Sequence, residues 1–131
     1  MASAVPVLFP GAALAEVCDK MRPGWDPSQG QVSQLDDVLY FFGTSPFMLT
    51  YAGLIVASLL LRNRWLCFVS ALVSIAFAAL HAGDWMFEWS GTVHKGAIAE
   101  GCMAPPYLLI GLFLSAFMAC VFVAFKPRRM V

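Results

Sequence analysis

The sequence predicts an all-α membrane protein with three transmembrane helices and a short amphipathic interfacial helix in its N-terminal arm. Of its 131 residues, 60% are apolar and only 12% are charged, which is unusual for a water-soluble domain of this length. Three long segments contain no charged residue: one between Asp37 and Arg62, one between Arg64 and Asp84, and one between Glu100 and Lys126. Each stretch approaches or exceeds the roughly 20 residues that cross a hydrocarbon core.

These stretches place the spans at residues 46–61, 65–85 and 105–125, which together form a transmembrane bundle over residues 46–131 with a loop at residues 86–104. A buried helix of a soluble protein is the alternative for any one segment. However, only the three residues Arg62, Asn63 and Arg64 separate the first two segments, so the succession favours a membrane bundle.

The distribution of charge predicts the orientation of the bundle. Five of the eight basic residues fall on one side of it, namely Arg62, Arg64, Lys126, Arg128 and Arg129, and all eight carboxylates fall on the other. Because Lys and Arg in short loops are retained in the cytoplasm, the C-terminus is predicted to be cytoplasmic and the N-terminal arm to lie outside. A net charge of zero without a basic patch argues against nucleic-acid binding.

Residues 1–15 form a signal-like apolar segment. It ends in Ala13-Leu14-Ala15, the small-x-small pattern that precedes signal-peptidase cleavage, but no Lys or Arg comes before it and two prolines interrupt it. Three interpretations stay open: a cleaved signal peptide, a true start further upstream, and an uncleaved segment in the membrane interface.

Residues 16–45 are predicted to form an arm outside the membrane. Ser33 to Asp36 resembles a capping box, and the apolar residues that follow recur at helical spacing. This pattern predicts an interfacial helix over residues 33–42. Proline then stands at the start of the first span (Pro46) and before the third (Pro105 and Pro106), where its missing N–H is tolerated.

The predicted topology sorts the four cysteines into two pairs. Cys18 and Cys102 fall in the outer segments, where an oxidising compartment permits a disulfide, so we predict that they are bridged. Two unpaired thiols are the alternative. Cys67 and Cys120 fall near the cytoplasmic ends of the second and third spans, where they are interpreted as small apolar residues at helix contacts.

Small residues recur every four positions in the spans, which places each set on one helix face and predicts close helix packing. The sets are Gly53 and Ala57; Ser70, Ser74, Ala78 and Ala82; and Gly111, Ser115 and Ala119. Large aromatic residues near the membrane boundary are expected to anchor the chain at the interface. They are Trp25, Trp65, Trp85, Trp89 and Tyr107.

His81, Asp84 and Glu88 are the candidates for chemistry, because their spacing of three and then four residues places them on one helix face. An imidazole with two carboxylates can bind a metal or transfer protons, and a helix histidine can also ligate a haem or a pigment. One helix supplies few ligands and His94 is the only other imidazole, so no cofactor is firmly implied. The alternative is that His81 is hydrogen-bonded within the chain near the interface, with both carboxylates in water.

Three segments resemble parts of short three-span inner-membrane proteins of purple bacteria and their aerobic relatives, whose function is unassigned. They are residues 14–26 (LAEVCDKMRPGWD), residues 100–102 (EGC) and the two prolines at 105 and 106. The resemblance implies no activity. It implies a bacterial inner (cytoplasmic) membrane that is crowded with photosynthetic and respiratory complexes, with the arm in the periplasm.

The function expected from these observations is that of a non-catalytic accessory or assembly subunit of a larger inner-membrane complex, in photosynthetic or respiratory electron transfer. Its expected partners are the lipid bilayer and that complex. Two alternatives stay open. One is a metal-, haem- or pigment-binding redox module, or a membrane enzyme, centred on His81, Asp84 and Glu88; the other is a small oligomeric transporter. The sequence contains no phosphate-binding glycine loop, Cys-x-x-Cys motif or nucleophile elbow.

Overall fold

A computed structural model describes residues 17–89 and 91–126. Residues 17–21 are helical, and five α-helices follow, α1 (Gln34–Thr44), α2 (Pro46–Leu61), α3 (Arg64–Phe87), α4 (Val93–Glu100) and α5 (Tyr107–Phe125), with a short 3₁₀ helix at Pro27–Gln29. All regular structure in these residues is helical, which confirms the all-α part of the predicted fold class. The signal-like segment 1–15 and the basic residues Arg128 and Arg129 lie outside the described residues.

The lengths of the helices bear on how often the chain crosses a membrane. α3 and α5 are each long and apolar enough to span it. The 16-residue α2 reaches that length only together with α1, from which it is bent by 95°. The chain is therefore a membrane protein. It has two candidate spans, α3 and α5, or three if α1 and α2 together form a single bent span.

Capping residues explain where α1 and α3 begin. The Ser33 hydroxyl accepts a hydrogen bond from the backbone N–H of Asp36 at 3.1 Å and donates to its carboxylate at 2.6 Å, at the position of the predicted capping box. Asn63 caps α3 by accepting from the N–H of Trp65 at 3.0 Å. Between α2 and α3, Arg62 adopts a left-handed conformation with φ of 46°, which ends α2 and turns the chain.

The centre of the bundle is aromatic. α3 and α5 make the most extensive helix contact, and α2 packs against both. Phe113 of α5 is only 1% exposed, and its ring lies 5.2–6.5 Å from the rings of Phe42, Tyr51, Phe77 and His81. One aromatic side chain therefore joins all four helices that meet there.

Hydroxyl groups connect α2 to α3. The Tyr51 hydroxyl lies 2.6 Å from Ser74 Oγ, and Ser58 Oγ lies 2.7 Å from Ser70 Oγ, with the three serines fully buried. Such hydrogen bonds add to van der Waals packing between membrane helices, which lack a hydrophobic drive towards one another.

The small residues predicted at the helix contacts divide into two groups. On α3, Ser70, Ser74 and Ala78 are buried and Ala82 is half-buried. The prediction is wrong for the other helices, where Gly53, Gly111 and Ser115 are exposed and Ala57 and Ala119 are only half-buried. α2 and α5 pack instead through larger side chains, including Met48, Tyr51, Leu109 and Phe113. These fill the space between the helices, so the backbones do not need the close approach that small residues permit.

The predicted interface anchors also differ in their surroundings. Trp65, Trp89 and Tyr107 are exposed, as a residue in contact with lipid headgroups would be. Trp85 is half-buried and makes an edge contact with Tyr107, the ring centroids lying 5.7 Å apart. Trp25 lies elsewhere, because it packs in the N-terminal arm against a cluster that contains Cys18 and Cys102.

Candidate functional site

The N-terminal arm and the segment between α3 and α5 fold together as a cap over one end of the bundle. We use "the cap" for residues 17–44, 88–89 and 91–106. Three contacts hold it together. The sulfur atoms of Cys18 and Cys102 lie at disulfide distance with their Cα atoms 5.8 Å apart; Val32 N–H donates to the Gly101 carbonyl (2.9 Å); and Arg22 Nη1 lies 3.3 Å from Asp37 Oδ1. A fourth contact, from Leu108 N–H of α5 to the Gln34 side chain (3.1 Å), ties the cap to the bundle.

Gly101 is where the arm meets the second half of the cap. It ends α4 with a φ of 91°, a backbone conformation that favours glycine. A Cβ built on Gly101 would also lie 3.0 Å from Cγ of Gln31 in the arm. The turn therefore favours glycine at this position, and a Cβ here would also displace the Gln31 side chain slightly.

The cap and the bundle enclose a cavity of about 200 Å³, which we call the cap cavity. Its walls are mostly apolar and include Val38, Phe41 and Leu109. Six polar side chains also line it: Arg22, Gln34, Asp37, Tyr40, His81 and His94. An apolar cavity with a few convergent polar groups is the usual form of a small-molecule site.

The predicted group of His81, Asp84 and Glu88 does not converge on one point. His81 lies between two rings, with Phe113 stacked at 5.6 Å and Phe41 in edge contact at 5.5 Å. Asp84 Oδ2 lies 3.6 Å from His94 Nδ1, and Glu88 pairs with Lys95.

The conformation of Glu88 explains this separation. It ends α3 in the left-handed region with φ of 54°, so helical spacing no longer relates its side chain to those of His81 and Asp84. In residues 17–89 and 91–126, the one group of three side chains with ligand atoms within 4.8 Å of one another is Cys18, Glu100 and Cys102. With its two sulfur atoms at disulfide distance, that group does not offer thiolates to a metal.

A half-buried ion pair forms one wall of the cap cavity. Burial raises the pKa of Asp37, while a hydrogen bond from the backbone of Ala104 and the charges of Arg22 and His94 lower it. The Arg22 guanidinium also lies 4.6 Å from the centre of the Tyr40 ring, a cation–π contact. Arg22 therefore stabilises the ionised form of Asp37 and packs against α1.

Arg22→Gln is expected to lower the stability of the protein by about 1 kcal/mol at pH 7, because it leaves the half-buried Asp37 carboxylate without its cation. Arg22 lowers the pKa of Asp37 in the folded state. The contribution of Arg22 to the stability of the fold is therefore present while Asp37 is ionised, and it is lost as the pH falls through the pKa of Asp37. Thermal unfolding in detergent at pH 7 and at acidic pH measures the difference. Arg22→Lys retains the charge and is the control; an equal loss for Arg22→Gln at both pH values would contradict the prediction.

The sequence alone indicated only part of this site. His81 was a candidate, but Arg22, Asp37 and Tyr40 were not, and His94 was considered only as a second imidazole. One pattern in the sequence could have identified Asp37: it directly precedes Val38, and both Val38 and Phe41 lie on the inward face of α1. Comparison with known protein families, with curated proteins and with solved structures found no match to this chain.

Proposed function

We propose that this protein is a non-catalytic accessory or assembly subunit of a larger inner-membrane complex, in photosynthetic or respiratory electron transfer. It crosses the membrane three times, with the cap in the periplasm and the C-terminus in the cytoplasm. The observation that supports this proposal best is the construction of the cap. Three contacts within the cap and a fourth to α5 fix its surface before any partner binds, which reduces the entropy lost on association.

In the three-span arrangement, α1 and α2 together form one span that is bent by 95°. When α2 runs across the bilayer, α1 lies along its surface. Leu35 and Leu39, which are 59% and 61% exposed on α1, are then available to the lipid interface. Ser45 and Pro46 make the corner between the two helices.

The exposed faces of the spans support a role in assembly. Large apolar side chains remain uncovered on α5, where Met118 is 62% and Phe122 is 68% exposed, and on α2, where Leu60 is exposed as well. Lipid tails cover such surfaces in an isolated subunit. A partner helix would replace lipid there through close packing rather than through a hydrophobic drive.

The contacts of the acidic residues on α3 favour this function over a metal or redox module. Asp84 lies beside His94, and Glu88 pairs with Lys95 within the chain. Within residues 17–89 and 91–126, His81, Asp84 and Glu88 therefore do not bring three ligand atoms within 4.8 Å of one another, as the metal hypothesis requires.

Co-purification tests the proposal. The protein, with an affinity tag at its C-terminus and expressed at its native level, is extracted in mild detergent and analysed by native electrophoresis and mass spectrometry. We expect it to migrate with a constant set of membrane subunits at fixed stoichiometry. Cys18→Ser, which releases the arm, should reduce this recovery, whereas Cys67→Ser, far from the cap, should not. A protein that migrates alone under these conditions would contradict the proposal.

A further inference from the structure

We propose that the cap cavity binds the headgroup of a neutral, single-ring amphipathic molecule with hydrogen-bond acceptors, of the quinone class. This goes beyond the proposed function, because it assigns a ligand to the isolated subunit. The size of the cavity, the balance of its charges, its donors and its position each support the assignment.

The volume of the cap cavity limits the ligand to about one ring. At about 200 Å³ it exceeds an engineered cavity of roughly 150 Å³ that admits benzene, and it falls short of the roughly 300 Å³ at which sites for drug-sized molecules begin. A substituted six-membered ring fits this range, whereas a haem or chlorin macrocycle does not.

The charges of the lining favour a neutral ligand. Among the described residues of the lining, the only fixed charges are those of Arg22 and Asp37, which neutralise each other at 3.3 Å. A carboxylate or phosphate headgroup would have to displace Asp37 from Arg22 and leave that half-buried carboxylate without a cation. The same argument, with the signs reversed, disfavours a cationic ligand.

The lining supplies donors for carbonyl groups. His81 and Gln34 both line the cap cavity; an imidazole carries an N–H donor, and the Gln34 amide keeps its NH₂ donors because its oxygen accepts from Leu108. A quinone ring presents carbonyl oxygens on opposite sides, which are acceptors only. The rings of Tyr40 and Phe41 add flat apolar surface to the lining, against which another ring can pack.

The position of the cap cavity suits a ligand that is dissolved in the membrane. Its lining combines residues of the cap with His81 of α3 and Leu109 of α5, so it lies where the cap meets the apolar bundle. A headgroup at this level can retain its apolar tail in the bilayer. We therefore assign the site to a lipid-borne quinone rather than to a water-soluble ring compound.

Binding of ubiquinone-1 to the purified full-length protein in detergent, measured by equilibrium dialysis against protein-free micelles, tests the inference. We expect one saturable site per chain. His81→Phe preserves a ring between Phe41 and Phe113 but removes the donor, so it should weaken binding by about tenfold, the upper range for one neutral hydrogen bond. Glu88→Gln, outside the cavity lining, is the matched control and should bind as the wild type does.

A second variant keeps the test independent of His81. Ala104 is buried in the cavity wall, so Ala104→Leu would fill the space and should abolish binding in protein that still elutes as a folded species. Ubiquinone-1 uptake no greater than that of empty micelles, or saturable binding that both variants leave unchanged, would overturn the inference. Tighter binding of a fatty-acid anion than of ubiquinone-1 would overturn it as well. Because the assay needs no partner, its result is independent of the co-purification experiment.

Discussion

Phe113→Ala is expected to destabilise the bundle strongly, by about 3 kcal/mol or more, as truncation of a fully buried phenylalanine does in well-packed cores. Phe113 is 1% exposed and contacts the rings of Phe42, Tyr51, Phe77 and His81. Its removal leaves a cavity where α1, α2, α3 and α5 meet. In a membrane, where packing rather than hydrophobic transfer holds helices together, lost contacts of this kind are not replaced.

Phe122→Ala on the same helix is the matched control. Phe122 is 68% exposed, and the substitution removes the same atoms from a side chain outside the bundle core. Unfolding in mixed micelles of increasing denaturing detergent compares the two variants with the wild type. We expect Phe122→Ala to lie close to the wild type; equal destabilisation by both variants would show that Phe113 is not the centre of the packing.

The helices were predictable because their signals are local. Charge gaps and prolines predicted residues 46–61 and 65–85, and the structure has Pro46–Leu61 and Arg64–Phe87. α4 was missed, since residues 86–104 contain charged and polar groups with no clear apolar period. What holds α4 is a tertiary contact: Ala97 is fully buried against Cys18 and Cys102, and a contact between distant segments leaves no periodic pattern.

The candidate site was harder to predict for the same reason. Arg22 and Asp37 reach the cap cavity only because the arm folds back over the bundle, and nothing in their local spacing relates them to His81. Glu88 shows the opposite error. Its spacing placed it on one face with His81, but α3 ends at that residue in a left-handed conformation and the helical relation fails.

The faces of α2 and α5 show why periodicity alone does not identify a contact. Gly53 and Gly111 lie on regularly spaced stripes, yet a Cβ on either would meet no other atom. The true contacts use Tyr51 and Phe113, whose positions depend on how large rings interlock across three helices. That complementarity is a property of the assembled bundle, which no single segment encodes.

Cys18→Ser is expected to release the N-terminal arm from the rest of the cap. The two cysteines are 84 residues apart in sequence, and a crosslink that closes so long a loop stabilises a fold by roughly 2–5 kcal/mol, largely by restricting the unfolded chain. The arm also carries Arg22, so its release exposes Asp37 and opens the cap cavity. We expect a lower unfolding temperature, faster hydrogen exchange over the arm and faster proteolysis at residues 22–31.

The bridge itself can be tested on the wild type. Reduction should give the same loss of stability and the same exchange pattern as Cys18→Ser, and it should have no further effect on that variant. Cys67→Ser is the control, because Cys67 is buried at the opposite end of α3, where its thiol donates to the Ser58 carbonyl at 3.3 Å and a serine can do the same. Alkylation of Cys18 in unreduced, folded protein would show that the bridge is absent. The arm would then be joined to the rest of the cap by the hydrogen bond from Val32 N–H to the Gly101 carbonyl, and to α5 by the hydrogen bond from Leu108 N–H to the Gln34 side chain.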